Sequence, residues 1–74
     1  MIQDKHLQRL LLLQVRDGVE PPELASYPND QRMYNSAILI SEGYVTGRVD
    51  HDKKGSVVSA RMSELTPKGY DFIE

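Results

Sequence analysis

"ISEGYVTGRV", residues 40–49, joins two kinds of periodicity across a single glycine. Upstream, Met33, Ala37 and Ile40 recur at i, i+4 and i+7, the spacing of one face of an α-helix, with Leu39 beside them. Downstream, Val45, Gly47 and Val49 alternate with Thr46, Arg48 and Asp50, the period of a strand. Gly43 stands between the two patterns, where a helix commonly ends on a left-handed residue. The spacing predicts a helix over residues 29–43, capped by Asn29 or Asp30, and a strand that begins at Tyr44.

The residues beyond this strand predict a hairpin over 44–63. "DKKG" (52–55) has Asp first and Gly last, as a type I turn prefers. Counting outward from a four-residue turn pairs Val49 with Val58, Gly47 with Ala60 and Val45 with Met62 on one face. Asp50–Val57, Arg48–Ser59 and Thr46–Arg61 then share the other. An apolar face backed by a mostly polar one is what a half-buried hairpin needs. The chain closes with "LTPKGYDFIE", a short helix over 66–74. Thr66 is its N-cap, Pro67 its first residue, and Leu65 is expected to staple onto Tyr70, with Phe72 and Ile73 docking on the core.

Upstream of the deciding stretch, a first helix is expected over 4–17, capped by Asp4 and stopped by Gly18. Leu7, Leu10, Leu11 and Val15 share its main apolar face, with Leu13 at the edge. Leu12 points elsewhere, between Gln8 and Arg16. It either meets a neighbouring loop or belongs to a contact with another chain. Between the helices, "GVEPPELASYPND" carries Pro21, Pro22 and Pro28, which leave room for one short turn over Glu23–Ser26.

With 74 residues the chain is read as one domain, residues 1–74, with one small core. There is no cysteine, hence no disulfide and no thiolate ligand or nucleophile, which fits a reducing compartment such as the cytoplasm. His6 and His51 are far apart in sequence and offer no metal-ligand spacing. The apolar run Leu10–Leu13 is far too short for a membrane span and lacks a cleavage signal. No paired carboxylate set, phosphate loop or nucleophile–base pattern stands out, so neither an enzyme nor a cofactor or small-molecule substrate is expected.

Helix, Pro-rich link, helix, hairpin and short helix is the order of a small α+β winged-helix domain. More narrowly, "LISEGYVTGRV" leading to a hairpin and then "ELTPKGYDFIE" resembles the small phage- and prophage-associated YjcQ-like proteins of undefined function. Leu39, Gly43, Tyr44, Val45, Leu65, Thr66, Gly69, Tyr70, Phe72 and Ile73 stand at that group's positions. The resemblance implies a winged-helix architecture and a mobile-element origin. One position departs: relatives tend to carry a histidine after the helix's aromatic residue, where this chain has Asn35 after Tyr34.

Two function classes are open to such a domain. As a DNA-binding transcription regulator, the chain would read base edges with Gln31, Arg32 and Asn35. Lys53 and Lys54 at the wing tip, with Arg48 and Arg61, would then neutralise phosphates. Residues 44–63 hold four basic against two acidic side chains, a local +2 in a chain of net charge −2. As a protein-binding module, a homodimer or a modulator of a host protein, it would use Leu12, Tyr34 and Ile38. Two orientations of the 29–43 helix are open. One faces Met33, Tyr34, Ala37, Ile38 and Ser41 outward; the other turns Met33, Ala37 and Ile40 inward and exposes Gln31, Arg32, Asn35, Ile38 and Glu42.

Overall fold

The computed structural model describes residues 3–74. Its elements run α1 (Lys5–Asp17), a 3-10 turn (Pro22–Ser26), α2 (Asn29–Ser41), β1 (Val45–His51), β2 (Val57–Leu65) and α3 (Pro67–Ile73). The fold is small α+β, with the helices packed on a two-stranded antiparallel hairpin in a winged-helix-like arrangement. The five-residue 3-10 turn stands where a helix-turn-helix would carry a full helix, and its Leu24 is completely buried.

Local chemistry explains where the helices begin and end. The Asp4 carboxylate accepts the Leu7 amide N–H at 3.0 Å, and α1 stops at Gly18. At α2 the cap is Pro28, not Asn29 or Asp30. Its φ of −61° and ψ of 149° hold the extended backbone a cap position needs, and the Asp30 carboxylate turns to the Gln31 N–H instead. The helix ends at Ser41 with a paired closure: Gly43 donates to the Ile40 carbonyl at 3.2 Å and Tyr44 to the Leu39 carbonyl at 3.0 Å.

Leu12 corrects an expectation. It is 0% exposed and sits in the core with Leu7, Leu10, Leu11, Leu24, Leu39, Val45 and Ile73. A helix covered on one side only would leave Leu12 outside. In the fold α2 and β2 pack on α1, and so do the 3-10 turn and α3. A helix enclosed this way buries more than one stripe, and Leu12 is removed from the interface candidates.

The tail is tied to the α2–β1 junction. Thr66 caps α3 by accepting the Gly69 N–H at 3.2 Å, while its hydroxyl donates to the Gly43 carbonyl at 2.6 Å. The Lys68 ammonium donates to the Glu42 carbonyl at 2.8 Å and lies 4.5 Å from the centre of the Tyr44 ring. A cation there also suits the negative end of α2. Tyr70 does not staple the helix as expected; it is 49% exposed. The aromatic contact runs edge-to-face between Tyr44 and Phe72, with 5.0 Å between centroids.

The hairpin register differs from the one counted out of the turn. Val49 pairs with Ala60, Gly47 with Met62, Arg48 with Arg61, Asp50 with Ser59, His51 with Val57 and Val45 with Leu65. The turn itself is where expected: Gly55 donates to the Asp52 carbonyl at 3.1 Å. Asp52, however, donates to the Ser56 carbonyl at 2.9 Å, so Gly55 is an extra residue at φ 88°, a bulge conformation glycine adopts without strain. Two further irregularities lie between Asp50 and His51 and between Val45 and Gly47. At the second, the Thr46 hydroxyl accepts the Glu64 N–H at 3.2 Å, serving in place of a ladder bond.

The bulge at Val58 reverses the fate of two valines, because one extra residue flips everything beyond it to the other face. Val58 is 55% exposed, and Val57 turns toward α2. We expect Val57→Ala to cost about 1–2 kcal/mol and Val58→Ala less than about 0.5 kcal/mol. Urea denaturation of the two variants checks the order, and a larger loss at Val58 would contradict the register.

Candidate interaction groove

The α2 helix presents its apolar outer side to the hairpin. Of the two orientations open in the sequence, the first is realised: Tyr34, Ala37, Ile38 and Ser41 line a groove whose other wall is Val49, His51 and Val57 of the hairpin. The groove encloses about 520 Å³. Ala37 is buried in its floor, and Tyr34 and Ile38 are half-buried. Past Tyr34 and Val57 it continues toward the wing tip, bordered by Asp30, Met33, Gly55 and Ser56. Its other end is closed by Gln3 and Glu42. No Lys or Arg lines either stretch.

The residues expected to read DNA do not share one surface. Asn35 is fully buried. Its carbonyl oxygen accepts the Asp4 N–H at 3.0 Å and the Gln8 side-chain amide at 3.1 Å, and its own amide donates to the Gln31 carbonyl at 2.9 Å. It is an anchor between α1 and α2 and has no edge left for a base, which corrects its assignment. Arg32 is also committed: it bonds the Asn29 side chain and reaches the Glu20 carboxylate at 3.5 Å, with its side chain 27% exposed. Gln31 is half-buried one turn before Asn35.

The wing residues remain open to solvent. Lys53 and Lys54 are exposed at the tip, and the Asp52 carboxylate that accepts the Lys54 and Ser56 amides lies between them and the strand. Arg48 and Arg61 face each other across the strands on the side turned away from α2. The Arg48 side chain is 81% exposed and bonds Asp50 at 3.1 Å, a pair of small energetic weight in water.

Comparison of the chain with protein-family models, curated proteins and solved structures returned no match. Among the described residues no group of acidic, histidine or cysteine side chains has the arrangement of a metal site. No described helix is long and apolar enough to cross a membrane. Sequence reasoning named Tyr34, Ile38 and Ser41 on the outer side of α2 but missed Val49, His51 and Val57 as the facing wall. The alternation of β1 carries the signal for Val49 and His51. Val57 was hidden by the bulge.

Proposed function

We propose that this chain is a protein-interaction module whose working surface is the groove between α2 and the hairpin. The observation that carries the reading is the makeup of the outer side of α2: Tyr34, Ala37, Ile38 and Ser41, with carboxylates toward either end and no basic side chain. A helix that enters the major groove needs donors for base edges and cations for phosphates. Here Asn35 is spent inside the fold and Arg32 is held by Asn29 and Glu20. Half-buried aromatic and aliphatic side chains in a shallow cleft suit a protein surface better. A cytoplasmic setting, and an origin in a phage or integrated element, belong to the same reading.

One observation favours a second reading, a DNA-binding regulator. Lys53 and Lys54 stand exposed at the wing tip, with Arg48 and Arg61 on the strands behind them. Such a protein would hold phosphates through the wing and take little sequence information from α2.

Gel retardation of random duplex DNA at ~50 mM salt separates the two, since phosphate attraction is strongest at low salt. The interaction reading expects no retardation. Retardation that Lys53→Ala and Lys54→Ala each weaken on all sequences, with the salt slope flattened by about one unit per substitution, would replace it by the DNA reading.

A further inference from the structure

We infer that the groove takes a short amphipathic helix of another protein, apolar along one stripe and basic at both ends. The inference rests on the reading of the groove as a protein-docking surface and adds the class of occupant. Asp30 to Glu42 spans about 18 Å at the α-helical rise, the length of about three turns of a second helix laid alongside α2. The lining is apolar through the middle, at Ala37, Ile38, Val49 and Val57, and acidic only at the ends. Asp30 and Glu42 are both exposed, and the ion pairs among the described residues are Arg16–Asp17, Arg32–Glu20 and Arg48–Asp50. Each end carboxylate is thus unpaired in the described chain. A ligand with anchors at i, i+4 and i+7 and Lys or Arg beyond them matches this pattern in both shape and charge.

A second copy of the chain matches it less well. A two-fold contact sets a patch against itself, so Asp30 and Glu42 would meet the same carboxylates with no cation between them. Nor does the folded chain carry a suitable stripe to lend in a head-to-tail contact. Its large exposed hydrophobic side chains, Val19, Val58 and Tyr70, lie on three different segments, and the α1 leucines are in the core.

Three labelled peptides of about four turns test this by fluorescence anisotropy with the intact chain. All carry Leu at i, i+4 and i+7; one has Lys at both ends, one has Glu there, and one has Lys ends with a central Pro that breaks the helix. The Lys-ended helix is expected to bind about five- to ten-fold more tightly than the Glu-ended one, the effect of two exposed ion pairs. Asp30→Asn with Glu42→Gln should erase that preference, and Ile38→Lys, checked for native circular dichroism, should abolish binding. If the Glu-ended or Pro-broken peptide binds equally well and still depends on Ile38, the docking reading stands and the basic helix is overturned. If none binds, or binding is indifferent to Ile38→Lys, both fall. A dimer on a sizing column that Ile38→Lys dissociates would overturn the hetero-partner in favour of self-association.

Discussion

Gly69→Ala is expected to destabilise the chain by about 3 kcal/mol, opposite in sign to what helix propensity alone predicts. Gly69 is buried inside α3, where replacing Gly by Ala at an open helical site gains about 1 kcal/mol. Here a methyl group would overlap the carbonyl oxygen of Tyr44, 3.1 Å from its carbon and 3.3 Å from the Leu65 side chain. The obstacle is backbone, so no rotamer change relieves it. Tyr44 cannot retreat cheaply, because its N–H closes α2 and its carbonyl accepts the Thr66 N–H at 3.2 Å. Relief comes only by lifting α3, which loosens the Thr66 and Lys68 bonds to the α2 end and exposes Ile73, now 6% accessible. Urea denaturation of Gly69→Ala beside Asp71→Ala, an exposed control on the same helix, measures the difference. A Gly69→Ala midpoint at or above the wild-type value would mean that α3 does not seat as described.

The same contact explains which parts of the fold could be read from sequence. Asp4, Gly18, Gly43, Asp52, Gly55 and Thr66 act through bonds to residues a few positions away, so their chemistry is visible in a short window. The hairpin turn was legible for that reason. Its register was not, since the bulges at Gly55 and Val58 and the irregularity beside Thr46 each add a residue that no alternation pattern announces. Leu12 was misread because coverage of α1 by the 3-10 turn and α3 depends on the whole topology.

The groove was half legible. Tyr34 and Ile38 break the expectation of a polar outer side, and that anomaly pointed to a surface. The rotation of α2 about its axis, which sets what faces the hairpin, depends on Asn35. Its partners Gln8 and Asp4 lie 27 and 31 residues away in sequence. A polar residue in a helix reads as exposed until such partners are known.

Asn35→Leu is expected to cost about 3 kcal/mol even though it adds apolar volume to the core. The substitution leaves two donors without an acceptor, the Gln8 amide, 2% exposed, and the Asp4 N–H at the start of α1. A buried donor stripped of its partner costs about 1–3 kcal/mol, more than the net gain from the bond it once made. Gln8→Met alone should be milder, about 1 kcal/mol, because the Asn35 oxygen keeps the Asp4 N–H. The double variant removes one of the two stranded donors together with its acceptor, and should recover about 1 kcal/mol relative to the sum of the singles. Equilibrium unfolding of the four proteins completes the cycle. Strict additivity would show that Asn35 and Gln8 are merely neighbours. Coupling of the expected sign ties the network to the groove, because it holds the Asn35 side of α2 against α1 and leaves Tyr34, Ile38 and Ser41 facing the hairpin. A folded Asn35→Leu chain with a loosened α2 should then bind the Lys-ended helix more weakly than wild type, although Asn35 itself touches nothing in the groove.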